Sequence, residues 1–92
     1  MKDTDRLVIQ VEYKDGRIQG LGYDGQWYNT IDEALKSACV DFKKPFKNVK
    51  SMSIIWNNNQ LAEPLTRAKW GDNLVSYIRN LFVEQGVIQD GN

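Results

Sequence analysis

The sequence predicts a two-layer α+β domain of order βββαβα, and three observations carry that expectation. Leu7, Ile9, Val11 and Tyr13 alternate with Val8, Gln10 and Glu12, the period of a half-buried strand. Asp15-Gly16 and Asp24-Gly25 are two-residue hairpin signals, because both central positions of such a turn want positive φ. Two later stretches, 31–42 and 74–85, switch to the spacing of an amphipathic helix.

Taken in order, the first turn pairs Lys14 with Arg17, Tyr13 with Ile18, Val11 with Gly20 and Ile9 with Gly22. The second pairs Tyr23 with Gln26, Gly22 with Trp27 and Leu21 with Tyr28, so the first three strands form an antiparallel meander. Gly20 and Gly22 then leave room on the inner side, where Trp27 lies over Gly22 as a core plug. Thr30 and Glu33 make a capping box that starts a helix with Ile31, Ala34, Leu35, Ala38, Cys39 and Phe42 on its apolar stripe. Lys43 and Lys44 suit the negative end of that helix, and Pro45 stops it. A fourth strand, 49–57, sets Met52, Ile54 and Trp56 on one face and Ile55 on the other. Asn57, Asn58 and Asn59 read as a turn that tolerates left-handed backbone. Leu74, Val75, Ile78, Leu81, Phe82 and Gln85 mark the second helix, with Gly86 as its stop and its start either near Leu65 or at Gly71. The crossover helix is expected to lay strand four parallel to strand one, giving a mixed four-stranded sheet of order 3-2-1-4 with both helices on one face.

The 92 residues form a single domain, 1–92, with 1–6 and 89–92 expected to be flexible. Twelve basic residues balance twelve acidic ones, unlike the basic excess of a general nucleic-acid binder, although 26–50 carries five lysines against three acids. With no histidine and one cysteine, Ser-His and Cys-His nucleophile activation and His or thiolate zinc sites are excluded, and no internal disulfide is possible. Cys39 belongs to the core stripe rather than to a reactive thiol site. The start "MKDTDRLVIQ" lacks the apolar run of a signal peptide, so a cytoplasmic, non-membrane protein is expected.

The element order and the segment "NTIDEALKSA" resemble the small HicB-type antitoxin domain, over roughly 7–55. The chain departs from that family in having no glycine-cysteine segment before the helix and no DNA-binding segment after the core. The order also opens the ribonuclease H-like fold, whose enzymes hold two metals on carboxylates. Here Glu12 and Asp32 or Glu33 match, but the fourth strand ends in asparagines, and neutral amides cannot balance divalent charge. Neither catalysis nor a metal or other cofactor is therefore expected.

By the hairpin registers, Val8, Leu21, Tyr23 and Tyr28 point away from the helices, joined by Ile55. An exposed apolar cluster rich in tyrosine is the expected contact surface for a protein partner. Lys43, Lys44, Lys47 and Lys50 form a patch that would steer an acidic partner or hold phosphates. Tyr77 and Arg79 lie off the second helix's apolar stripe, on a solvated or partner-facing side. The expected function is a small non-enzymatic interaction module, of the inhibitor or antitoxin-like accessory kind found on phages and mobile elements. The alternative is a single-stranded nucleic-acid binder that stacks bases on the tyrosines and holds phosphate with the lysines. Homodimerisation through an edge strand or the outer face is a further expectation.

Overall fold

A computed structural model describes residues 1–41, 48–66 and 74–88. Its elements are β1 (Leu7–Tyr13), β2 (Ile18–Gly22), α1 (Ile31–Asp41), β3 (Val49–Trp56), β4 (Asn59–Gln60), β5 (Leu65–Thr66) and α2 (Leu74–Glu84). The class is α+β, with an open and mostly antiparallel sheet of order β2-β1-β3-β4, and β5 also pairs with β3. Residues Phe42, Lys43, Lys44, Pro45 and Lys47, Gly71 and the tail 89–92 lie outside the described residues.

The first hairpin forms, but one residue away from the expected register. Tyr13 N–H donates to the Arg17 carbonyl (2.8 Å) and Gly16 N–H to the Tyr13 carbonyl (3.0 Å), so the loop is Lys14-Asp15-Gly16. A two-residue turn would force Asp15 as well as Gly16 to positive φ. Only Gly16 takes it, at 91°, and a three-residue loop with glycine in the left-handed region results. The Asp15 carboxylate fixes this choice by accepting from the Arg17 amide (3.0 Å) and the Arg17 Nε (2.8 Å). The pairs become Glu12 with Ile18, Val11 with Gln19, Gln10 with Gly20, Ile9 with Leu21 and Val8 with Gly22. A one-residue slip exchanges the two faces of a strand, so Leu21 shares the inner face with Ile9.

The third strand expected after Asp24-Gly25 is absent. Tyr23 N–H still bonds the Leu7 carbonyl (2.6 Å), and then Trp27 and Tyr28 N–H both donate to the Asp24 carbonyl (2.9 and 3.2 Å), which closes a turn. Gly25 serves close approach rather than a left-handed turn: a Cβ there would sit 1.7 Å from the Lys2 carbonyl oxygen. Its N–H donates to the Asp5 carbonyl (2.9 Å), and the Met1 ammonium reaches the Asn29 carbonyl. Segment 1–6, read as flexible from the sequence, is thus bonded across the turn.

Losing that strand reverses the direction of β3. Its ladder with β1 is antiparallel, from Leu7 opposite Trp56 to Glu12 opposite Ser51, with a slip before Tyr13 meets Val49. The expected parallel pairing needed an extra strand before the helix. Because α1 follows β2 directly, the crossover rule applies to β2 and β3, which run the same way with β1 between them.

The first helix starts, and the second stops, as the sequence indicates. Thr30 Oγ1 accepts from Glu33 N–H (3.2 Å), while the Glu33 carboxylate accepts from Asn29 N–H (3.2 Å), one residue earlier than an ideal capping box. At the end of α2, Gly86 takes φ 77°, its N–H donates to Val83 (3.0 Å) and Val87 N–H to Phe82 (2.9 Å), a Schellman closure. Leu65 pairs with Met52 in β5, so α2 does not begin there. The asparagine run is a two-residue hairpin turn between β3 and β4, with Asn57 and Asn58 at φ 49° and 70°.

Both helices cover one face of the sheet, as expected. Leu7, Ile9, Val11, Met52 and Ile54 meet Ala34, Leu35, Ala38 and Cys39 of α1 and Leu74, Ile78 and Phe82 of α2 in one core. A small apolar gap among Ile9, Met52, Leu35, Ala38, Cys39, Leu74, Val75 and Ile78 touches both helices and the sheet together. Trp56, half-buried, packs edge-on against Phe82 with ring centres 5.3 Å apart. Cys39 is buried in the α1 stripe, as read from its spacing.

Candidate interaction surface

The register decides which candidate residues can meet a partner. Tyr23 follows Gly22 on β2 and lands on the inner side beside Leu7, where only 2% of it is exposed. Its hydroxyl donates to Asp41 Oδ2 (2.8 Å). Burial, and then the Asp41 carboxylate, push the Tyr23 hydroxyl well above the usual tyrosine value. Tyr28 is half-buried against it, the rings tilted at 49° with centres 5.9 Å apart. Leu21 is half-buried on the same inner side. The expected outward tyrosine platform is therefore corrected: these three residues pack into or against the core. Trp27, expected as the plug over Gly22, is instead 76% exposed.

Val8 and Ile55 do lie where the sequence placed them, opposite one another on the face away from the helices, and both are half-buried. The full cross-strand row reads Gly22, Val8, Ile55, Gln60. The next reads Gly20, Gln10, Ser53, and the third reads Ile18, Glu12, Ser51, Thr66. Ile18, 65% exposed, ends the third row at the sheet's edge. The face is thus a shallow polar surface with an apolar strip at one corner and one unprotected isoleucine at another. Val40, on α1, is the remaining large exposed apolar residue among those described.

Of the lysine patch, only Lys50 is described; Lys43, Lys44 and Lys47 lie outside the described residues. Lys50 is exposed and stands 3.8 Å from the Glu12 carboxylate, a solvent-screened pair of small energetic weight. Arg79, read as a solvated or partner-facing residue, bridges the helices to Asp32 at 3.6 Å, and Tyr77 packs against the core. Among the described residues no group of three carboxylates or thiols comes together in a metal-holding arrangement. No described helix is long and apolar enough to cross a membrane.

A second feature, missed from the sequence, is the collar that 1–6 makes with the β3–β4 turn. Asn57 Oδ1 accepts from Arg6 N–H (2.7 Å), and Asn57 Nδ2 donates to Asp5 Oδ1 (3.1 Å). Burial raises the Asp5 carboxyl, but the Lys2 amide and the Asn57 side chain outweigh it and hold the group below its usual value. No local sequence signal marks this collar, because its partners, Asp5 and Arg6 on one side and Asn57 on the other, lie about fifty residues apart.

No family model matches the chain, and no curated protein or solved structure matches it either. The HicB-type element order, which needs a third strand before the helix, is not the one observed.

Proposed function

We propose that this chain is a non-catalytic interaction module that presents the face of its sheet opposite the helices to a protein partner. The observation that carries the reading is the position of Val8 and Ile55. They stand side by side on a face that neither helix covers, with Ile18 exposed further along it. The surrounding Gln10, Ser53, Ser51 and Glu12 supply the polar rim typical of a non-obligate interface. Base stacking on Tyr23 is not part of this reading, because a stacking ring must show a free face and this one is in the core.

The test is capture of proteins from a lysate of the native host with immobilised wild type, Val8→Lys, Ile55→Lys and the control Val40→Lys. Half-buried positions at a sheet surface accept lysine by extending its stem along the face, so circular dichroism should stay unchanged. A specific partner should be held by wild type and Val40→Lys and lost from the two sheet variants. Identical capture by all four proteins would remove the sheet face from consideration.

A further inference from the structure

We infer that β2 is a self-complementary edge, and that two copies of this chain join there by antiparallel strand pairing into a continuous sheet. This goes beyond the partner reading, because it concerns the backbone edge of the sheet and a second copy of the same chain.

The bonding pattern within the hairpin sets up the edge. Tyr13 with Arg17 at one end and Leu7 with Tyr23 at the other are joined by backbone hydrogen bonds. Bonded and non-bonded pairs alternate along an antiparallel ladder, so Gln19 and Leu21 turn their N–H and C=O groups toward β1. Ile18, Gly20 and Gly22 turn theirs away, and β2 has no neighbour on that side among the described strands. Three donors and three acceptors therefore stand in a row on an exposed strand that carries no lysine or proline to guard it.

The same three residues match a second copy of themselves. A two-fold axis at Gly20 sets Ile18 opposite the second copy's Gly22, Gly20 opposite Gly20, and Gly22 opposite Ile18. All three are pairs whose groups point at each other, so six hydrogen bonds close without shifting either strand. The side chains fit as well. At Gly20 a Cβ would meet nothing within 4 Å, and at Gly22 only Asp24 Oδ1 at 3.7 Å, so both glycines leave open space on the outer face. The exposed Ile18 of one copy then lies over the bare Gly22 of the other and extends its row of Val8 and Ile55. The zero net charge opposes such pairing no more than it favours it. Strand pairing of this length buries roughly 1,000 Å² or less, so the dimer is a weak one that depends on concentration.

Sedimentation equilibrium of the full chain, over about 10 μM to 1 mM at neutral pH, tests the inference. Wild type should pass from monomer to dimer within that range, with no larger species, because a two-fold edge closes on itself. Ile18→Lys should weaken the dimer by about tenfold or more, since lysine guards an edge strand. Gly20→Pro should do the same while keeping the β1 ladder, because the amide it removes points outward. If Gly20→Pro fails to fold by circular dichroism, Ile18→Lys alone decides. A wild type that stays monomeric at 1 mM, or a dimer that Ile18→Lys leaves unchanged, overturns the inference. A strict monomer that still captures a partner through Val8 sinks the dimer alone, and a dimer without partner capture sinks the other reading alone.

Discussion

Tyr23 separates a core role from a contact role more sharply than any other residue in the chain. Its ring is 2% exposed and its hydroxyl donates to Asp41 Oδ2 at 2.8 Å. Tyr23→Ala removes a whole buried ring, which costs about 3–5 kcal/mol in a core that collapses only partly. That is a large share of the total for a domain of this size, whose stability is expected at about 5–10 kcal/mol. Tyr23→Phe keeps the packing and loses one hydrogen bond to a carboxylate. Such bonds are worth roughly 1.5–3 kcal/mol when well shielded, and because Asp41 itself is exposed we expect about 1 kcal/mol. Asp41→Asn should cost no more, and the double variant should lose little beyond either single one. Urea unfolding at pH 7, followed by tryptophan fluorescence, measures wild type and the four variants. A cost below about 1 kcal/mol for Tyr23→Ala would mean that the ring is not a core element, and the inner-face register would fall with it.

Three further outcomes follow from the same structure. The raised Tyr23 hydroxyl makes the native state hold its proton more tightly than the unfolded chain, so its contribution is intact below about pH 10 and lost as pH rises above that; wild type should lose stability between pH 10 and 12 faster than Tyr23→Phe does. Gly25→Ala drives a methyl into the Lys2 carbonyl and should detach segment 1–6, at a cost of about 2–3 kcal/mol and with loss of hydrogen-exchange protection at the Gly25 amide. In the β3–β4 turn, Asn58→Gly should be neutral or slightly stabilising because φ is already positive, whereas Asn57→Gly should cost about 1 kcal/mol by losing the bonds to Arg6 and Asp5; equal effects in thermal melts would argue against the collar.

Local chemistry made the helices readable. Thr30 with Glu33, the apolar stripe through Cys39, and Gly86 each act through neighbours within one or two turns, and each is where its sequence signal puts it. The asparagine turn was readable for the same reason. The sheet was less so, because strand faces depend on a count of loop residues that propagates through the whole strand. Asp15 choosing the Arg17 amide over a left-handed backbone moved Leu21 and Tyr23 inward, and no composition argument weighs that choice. Gly25 was misread because its demand comes from Lys2, which is distant in sequence. Val8 and Ile55 survived as surface residues because both belong to β1 and β3, whose own alternation is unambiguous.

The placement of β1 between β2 and β3 also sets an order of events in folding. The β1–β2 hairpin closes over a three-residue loop, a step on the microsecond scale, but an isolated two-stranded ribbon is marginal in water. Leu7 meets Trp56 only by closing a far longer stretch of chain, one that includes all of α1. The slow step should therefore be docking of β3 onto β1, with the hairpin flickering beforehand. Destabilising β3 and loosening the Lys14-Asp15-Gly16 loop should both slow folding, since both elements are engaged when β3 docks. Until β3 arrives, β1 has only the flickering β2 beside it, and the longer its other edge and apolar face stay open, the more the nascent chain is exposed to aggregation.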